Sequence, residues 1–370
     1  MIKDLHEKAF DDGTITKLEI FENYAREWLP TFIMSAYERL WIFDFFAGTG
    51  YDINGIPGSP IRILQQIKHQ SNNILQKNVK ISVCFNEYDK QKYELLQQAC
   101  NQLISDNPDL QKIEKNNLLK IQYRNCDFSE LFPKTLSTIK EYPSLVYLDQ
   151  NGMKFLADKY IDDLEKTTKT DFLYFLSSSY FLRFGNTNAF QSNMKIDIER
   201  AKQNPYKYIH KSILEQLREK LPKSTKLSLY PFTIKKNNHI YGIIFGATHT
   251  RAVDKFLKTA WDKNNINGEA NFDIDDDIGK TQIDLFDGKR LLKVEKFKLN
   301  LRKEILEKSI RTNREAYDYT LKQGHISSHA GEEVSLMKKE KLIYYREKSP
   351  LINYENVYKE KRIISYEVLP

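Results

Sequence analysis

Residues 40–50 read L-W-I-F-D-F-F-A-G-T-G, an apolar run interrupted only by Asp44 and closed by a glycine pair. A run of this kind suits a strand over residues 40–47 that is buried on both faces of a parallel sheet. Gly48 and Gly50 let the backbone turn sharply at the strand's end and approach a ligand closely. A G-x-G alone is a weak signal, because many turns contain one, so its meaning depends on what surrounds it.

The surroundings repeat a strand–helix unit. Residues 16–29 form an amphipathic helix, with Leu18, Phe21, Tyr24, Ala25 and Trp28 at spacings of three and four and Pro30 after its end. A second helix starts at Ser59-Pro60, with Ser59 as N-cap and Pro60 at the first helical position. Strands follow at 81–86, 118–123, 144–148 and 171–176, with helices at 90–104 and 155–164 between them. This alternation predicts a doubly wound, Rossmann-like α/β sheet whose functional loops lie at the carboxyl ends of the strands. Residues 181–221 read as a mostly helical insertion interrupted by Pro205. Strands 226–234 and 239–247 are joined by only K-K-N-N, so they pair as an antiparallel hairpin. Five parallel-type strands followed by a hairpin match the strand inventory of the class I methyltransferase sheet. A helix over 251–261 closes this domain, which is expected to span residues 1–263.

The strand ends carry the candidate chemistry. Glu87, in C-F-N-E-Y-D, ends the second strand, where a carboxylate can accept both ribose hydroxyls of a nucleoside. Asp127, in N-C-D-F, follows the third and could accept from an adenine amine or cap a helix. Asp44, Gly48, Gly50, Glu87 and Asp127 form the expected cofactor set. There is no G-x-x-x-x-G-K-[ST] phosphate cradle. A neutral glycine turn with a ribose-binding Glu favours S-adenosylmethionine, which carries no phosphate, over NAD. Asp149, in L-D-Q-N-G, ends the fourth strand, where amino-methyltransferases place the residue that accepts from the target amine. The following Gln150-Asn151 departs from the Pro-Pro-aromatic continuation of those enzymes. Tyr180, Phe181 and Phe184 supply either an aromatic platform for a flipped base or core packing. Arg183 holds a substrate phosphate or carboxylate, or forms a surface ion pair. His210 and His249 stand alone and read as structural or exposed.

The ordered blocks T-K-L-E-I-F (16–21), D-F-F-A-G-T-G (44–50), P-G-S-P-I-R-I-L (57–64), N-E-Y-D (86–89), L-D-Q-N-G (148–152) and Y-G-I-I-F-G-A-T-H (241–249) resemble the three-Cys-motif partner proteins of bacteria. The resemblance covers most of the chain and extends to residues 324–342. It implies a methyltransferase fold encoded beside a protein with a radical-SAM-like three-cysteine motif, in mobile or phage-defence-like settings. Members usually read D-P-x-G where this chain has Asp149-Gln150-Asn151-Gly152. The family's cysteines belong to the partner, so Cys84, Cys100 and Cys126 acquire no role from it.

Composition narrows the classes further. The chain has 370 residues, 41% hydrophobic content and a net charge of +7. From Lys289 onward there are 19 Lys/Arg and 12 Asp/Glu, leaving 38 of each sign before it. The excess therefore lies wholly in the tail, which from charge alone reads as a solvated, mildly basic helical tail or as a module that meets an acidic partner such as nucleic acid. No apolar run reaches about 18 residues, so no membrane span is expected, and the polar residues 1–12 are no secretory signal. Three dispersed cysteines fit a reducing cytoplasm and give neither a disulfide framework nor a metal site. The run D-I-D-D-D-I-G lacks the Glu of a calcium loop, so residues 264–288 read as a solvated acidic linker. Residues 289–370 then form a basic module: a long helix over 291–321, a helix capped by Ser327 or Ser328, and strands at 342–345 and 362–368. That order is winged-helix-like, with Lys338, Lys339, Lys341 and Arg346 facing phosphates or a protein partner. Three functions fit: methyl transfer to an exocyclic amine of nucleic acid, a non-catalytic adaptor for the three-cysteine partner, and a nucleotide-sensing defence component.

Overall fold

The structure is a computed structural model that describes residues 9–150, 157–237, 239–280 and 291–370. It divides into two compact units, 1–252 and 253–370. The boundary expected at residue 263 lies inside the second unit.

The first unit is built on a seven-stranded sheet. Its strands are β1 (Arg39–Asp44), β2 (Lys80–Asn86), β3 (Leu119–Arg124), β4 (Ser144–Leu148), β5 (Thr170–Ser177), β6 (Ser228–Lys236) and β7 (His239–Ala247). Their order is β3-β2-β1-β4-β5-β7-β6. All pairings from β3 to β5 are parallel, whereas β7 runs antiparallel to both β5 and β6. This is the class I methyltransferase sheet, and its order reverses between β1 and β4, where open α/β sheets leave a crevice. Pro231 is accommodated because β6 is an edge strand.

β1 ends at Asp44, not at residue 47 as the apolar run predicts. A local turn begins there: Asp44 Oδ1 accepts from the Phe46 N–H at 3.2 Å, while the Phe45 and Ala47 N–H groups still donate to the Tyr147 and Asn86 carbonyls at 3.3 and 2.9 Å. Trp41, Phe43 and Phe45 stack along one sheet face, with centroids 5.2 and 5.7 Å apart. There they meet Phe128, Phe132 and Tyr160. Helix α1 (Asp12–Ile33) brings Phe21 against Tyr147, stacked at 4.6 Å. α1 runs past Pro30 to a fully buried Ile33. Burial of that last turn outweighs the single lost backbone bond. Helix α2 (Ser59–His69) is entered from Gly58, so Ser59 is its first residue and not its cap. The insertion after β5 is four short helices and a 3₁₀ turn between Ser178 and Lys220.

In the second unit the expected helix over 291–321 is two, Lys293–Leu306 and Asn313–Lys322. Lys308 takes a left-handed φ of 63° and Thr312 restarts the chain with a capping box to Glu315. Helix Ser327–Lys339 follows, then β8 (Ile343–Tyr344) and β9 (Glu367–Val368), an antiparallel pair. Thr312 also bridges to Ser365. Residues 264–280 correct the solvated-linker expectation. Asn267 is fully buried and holds the Phe272 carbonyl at 2.8 Å, and Lys293 pairs with Glu269 at 3.1 Å. Residues 281–288 of that linker lie outside the described residues.

Candidate functional site

Asp44, Glu87 and Asp149 stand at or just past the carboxyl ends of β1, β2 and β4, and Asp127 lies beyond β3. Parallel register puts all four on one edge of the sheet. Gly48 and Gly50 turn with φ of 67° and 92°, values that favour glycine. A Cβ on Gly50 would come 2.8 Å from that of Ala99. The turn is tied to the second strand, because the Gly48 N–H donates to Glu87 Oε2 at 3.0 Å. Glu87 Oε1 accepts from the Asp89 N–H at 2.9 Å. Each carboxylate oxygen has a second lone pair for a ligand hydroxyl.

Asp44 is fully buried. Burial pushes its carboxyl up to about 7, with Asp149 and Glu87 adding like charge. The Ser59 hydroxyl at 2.6 Å and the Phe46 N–H oppose that rise. Asp127 caps helix Phe128–Glu141 through Oδ1, which accepts from the Ser129 N–H at 2.8 Å and hydroxyl at 2.6 Å. The capping alternative is therefore realised at this residue.

Asp149 Oδ2 pairs with Lys17 Nζ at 2.5 Å, while its Oδ1 is buried with no hydrogen-bond partner among the described residues. Lys17 lies 4.5 Å from the centre of the Phe175 ring. The neighbouring Gln150 donates from Nε2 to the Phe175 carbonyl at 3.3 Å, and its buried Oε1 also has no partner among the described residues. Asn151 and Gly152 lie outside the described residues.

The expected aromatic platform is divided. Phe181 is core, edge-on to Phe190 at 5.3 Å. Tyr180 is half-buried and 6.5 Å from Phe184, and Arg183 is exposed on the same helix, Ser178–Phe184. No hydrogen bond or ion pair joins Tyr180 or Arg183 to Asp149 among the described residues. His210 is buried, within 3.1 and 3.2 Å of the Ser178 hydroxyl, and burial pushes it down to about 4. A Cβ on Gly242 would lie 2.2 Å from its ring, so His210 is a packing residue. Burial pushes the Cys84 and Cys100 thiols up to about 12, which makes both poor nucleophiles. Among the described residues there is no three-residue metal-ligating group, and no helix long and apolar enough to cross a membrane.

Sequence reasoning missed Lys17, Ser59, Asn86 and Asp52. Asn86 bridges the strand ends, donating to the Phe45 and Cys126 carbonyls and accepting the Cys126 N–H, each at 3.1 Å. Asp52 gathers the N–H groups of Phe10, Asn54 and Ile56 at 2.7–2.9 Å and so shapes the enlarged first crossover. The D-x-N-G pattern of residues 52–55 was the available turn signal.

In the second unit, Lys339, Lys341 and Arg346 are exposed. Lys338 corrects the expectation of a phosphate-facing residue. Its Nζ donates to the carbonyls of Tyr345 and Glu347 at 2.8 and 2.7 Å and sits 4.0 Å from the Tyr345 ring centre.

Strand order and the glycine turn define a protein of class I methyltransferase fold. The sequence matches no family model and no curated protein. Among solved structures, it is similar to Trm1 from Pyrococcus horikoshii, a complex with S-adenosyl-L-methionine. That match has 12% identity, a TM-score of 0.33, and covers 70% of this chain and 61% of that one. The O-methyltransferase TomG from Streptomyces achromogenes matches at 6% identity and a TM-score of 0.32, over 65% and 90% of the two chains. The DszA carbon methyltransferase matches at 11% and 0.37, over 65% and 56%. Likenesses this distant add nothing about activity, and the fold assignment rests on the strand order and register above.

Proposed function

We propose that the protein binds S-adenosylmethionine and transfers its methyl group to an exocyclic amine of nucleic acid. The observation that carries the reading is the acidic crevice edge formed by Asp44, Glu87 and Asp149 beside the Gly48 turn. That lining suits a cationic, phosphate-free nucleoside and repels a dinucleotide pyrophosphate. When bound, S-adenosylmethionine supplies an electrophilic methyl carbon on a sulfonium sulfur. Glu87 would hold the ribose hydroxyls, Gly48 and Gly50 would admit the cofactor close to the backbone, and Asp44 would face its positive charge. Asp149 would accept from the target amine and orient its lone pair, with Tyr180 and Arg183 on the flanking helix as candidate base and phosphate contacts. In this reading transfer depends on positioning more than on a strong base.

The second unit would supply nucleic-acid affinity. A winged-helix reading is supported by three helices followed by β8 and β9, which pair across an intervening helical turn at Glu355–Lys359, with Thr312 pairing to Ser365 beside β9. Lys339, Lys341 and Arg346 are the exposed cations for phosphates. A second reading is a non-catalytic adaptor for a three-cysteine partner protein, in a two-gene bacterial system linked to phage defence. It is favoured by the Lys17 pairing, which already occupies one oxygen of Asp149. Calorimetry with S-adenosylmethionine on the wild type and Glu87→Ala tests the cofactor. Absence of binding by ligand-free wild type would overturn the first reading, as would a different nucleotide found by mass spectrometry of the purified protein.

A further inference from the structure

The segments S-A-Y-E-R at 35–39 and K-N-V-K at 77–80 have no task in the cofactor reading. They lead into β1 and β2, whose first residues Arg39 and Lys80 are paired in register. Both therefore lie at the amino edge of the sheet, opposite the crevice. Lys169, just before β5, reaches the same edge, because Trp41 pairs with Ser144 and Ser144 with Thr170. Two helices end there, α1 at Ile33 and a short helix, Ser71–Lys77, at Lys77. The Met34 N–H closes the first on the Pro30 carbonyl at 3.1 Å, and the Val79 N–H closes the second on the Ile74 carbonyl at 3.3 Å. The Lys80 N–H joins the two segments through the Glu38 carbonyl at 2.8 Å.

Between the segments lies a cleft of about 440 Å³ whose lining includes Tyr37, Glu38, Lys77 and Lys80. At its rim, Lys169 Nζ stands 5.3 Å from the centre of the half-buried Tyr37 ring. Lys77, Lys80 and Lys169 are exposed, and none of the three forms an ion pair or a side-chain hydrogen bond among the described residues. Other surface lysines of the chain do pair, Lys220 with Asp158 at 2.9 Å and Lys298 with Glu332 at 2.6 Å. Glu38 is the one carboxylate in the lining among the described residues, so three cations face one anion. Unpaired charges of one sign gathered in a concave wall focus a positive potential on the space before them. The opposite edge carries Asp44, Glu87 and Asp149 and repels phosphates. A nucleic acid that offers a base to the crevice needs its backbone held elsewhere.

We propose that this amino-edge cleft holds the phosphate backbone of a nucleic-acid strand, with Lys77, Lys80 and Lys169 each meeting a phosphodiester. This rests on the nucleic-acid reading above and adds to it a contact surface in the first unit. Lysine meets phosphate as a point charge and needs no fixed fork geometry. The nearby guanidinium, Arg39, is engaged over the Tyr142 ring at 5.8 Å. β1 runs six residues from this edge to the crevice, roughly 17 Å at about 3.3 Å per step, or about five base steps at 3.4 Å. A strand longer than that can be held at one edge and offer a base at the other. Contacts to the backbone carry no sequence information, so the cleft supplies affinity and leaves the choice of base to the crevice.

The test uses the full chain and a labelled thymidine homopolymer of about fifteen nucleotides, followed by fluorescence anisotropy at several salt concentrations. Thymine has no exocyclic amine, so the binding read is independent of any target-amine contact. Replacing Lys77, Lys80 and Lys169 together by Gln should weaken binding at least about tenfold and lower the salt slope by about 2, at roughly 0.7 per phosphate on a single strand. Replacing the same three by Arg should keep both. Gln at Lys134, Lys195 and Lys223, exposed lysines elsewhere in the first unit, makes the same change of charge and should leave both nearly unchanged. The loss should persist when Lys339, Lys341 and Arg346 are reversed in charge. No binding by the wild type, equal losses in the two Gln variants, or an unchanged slope in the cleft variant each overturns the proposal. So does competition by polyglutamate as strong as by unlabelled strand, which would make the partner an acidic protein. Equal competition by thymidine monophosphate would do the same in favour of a free nucleotide. Calorimetry with S-adenosylmethionine on the same preparation separates the two ideas. Absent cofactor binding with lysine-dependent strand binding sinks the enzyme reading alone, and cofactor binding with strand binding indifferent to the three lysines sinks the cleft alone.

Discussion

Replacing Asp44 by Asn tests the electrostatics of the crevice most directly. Asp44 is fully buried and its carboxyl is pushed up to about 7 from 3.8, chiefly by burial. A carboxyl whose pKa rises on folding costs nothing below the unfolded value. The cost grows as pH climbs from about 4 and levels off above about 7. A rise of roughly three units, at about 1.4 kcal/mol each, makes the ionised form cost about 4 kcal/mol above pH 7. Asparagine keeps the acceptor for Phe46, and the Ser59 hydroxyl can rotate to accept from its amide. Asp44→Asn should therefore be more stable than the wild type without ligand. Its advantage should grow by about 2–3 kcal/mol between pH 5 and pH 8, measured by urea unfolding. The same substitution should weaken S-adenosylmethionine binding at pH 8. Wild-type binding near pH 7 should release a proton, visible as a calorimetric enthalpy that changes with the buffer. Parallel stability curves for the two proteins from pH 5 to pH 8 would refute the reasoning.

Gly50→Ala combines a positive φ with a 2.8 Å approach to Ala99. It should destabilise the first unit by about 2–4 kcal/mol in chemical denaturation and weaken cofactor binding. Gly242→Ala would drive a methyl into the His210 ring. A loss of about 2 kcal/mol or more in thermal unfolding is expected, partly relieved by adding His210→Ala. Charge reversal at Lys339, Lys341 and Arg346 should weaken nucleic-acid binding without changing thermal stability, and lower the salt slope by about 3. Lys338→Met should instead lower the stability of the second unit, because two carbonyls lose their donor.

The sheet was legible because its signals are redundant. The apolar run at 40–47, the short K-K-N-N turn and the strand spacing each point to one topology, and the pairing of β7 between β5 and β6 follows it. Strand ends were less legible, since the turn at Asp44 is set by a side-chain bond to the Phe46 N–H that hydrophobicity does not record. The single helix expected over 291–321 failed for a similar reason. The break lies in Lys308 and the Thr312 cap, whereas the charged pattern on either side reads continuously as helix. In the candidate site, the carboxylates at strand ends were readable from position alone. Lys17 was not, because its meeting with Asp149 joins residues far apart in sequence. Lys338 shows the converse: cationic character marked it for phosphate, and burial against Tyr345 gave it to the chain's own carbonyls.

The placement of β7 has a consequence for the order in which the chain becomes safe from itself. β5 ends at Ser177, but the strand that covers its free edge does not begin until His239. A ribosome adding about 5–20 residues per second therefore leaves that edge, with Phe172, Leu173 and Leu176, uncovered for several seconds. During that interval the nascent chain offers an unsatisfied backbone ladder to any neighbouring strand. The helices between Ser178 and Lys220 emerge within that interval and are available to shield it. Aggregation during synthesis, rather than loss of folded stability, is thus where defects in the hairpin should first be felt.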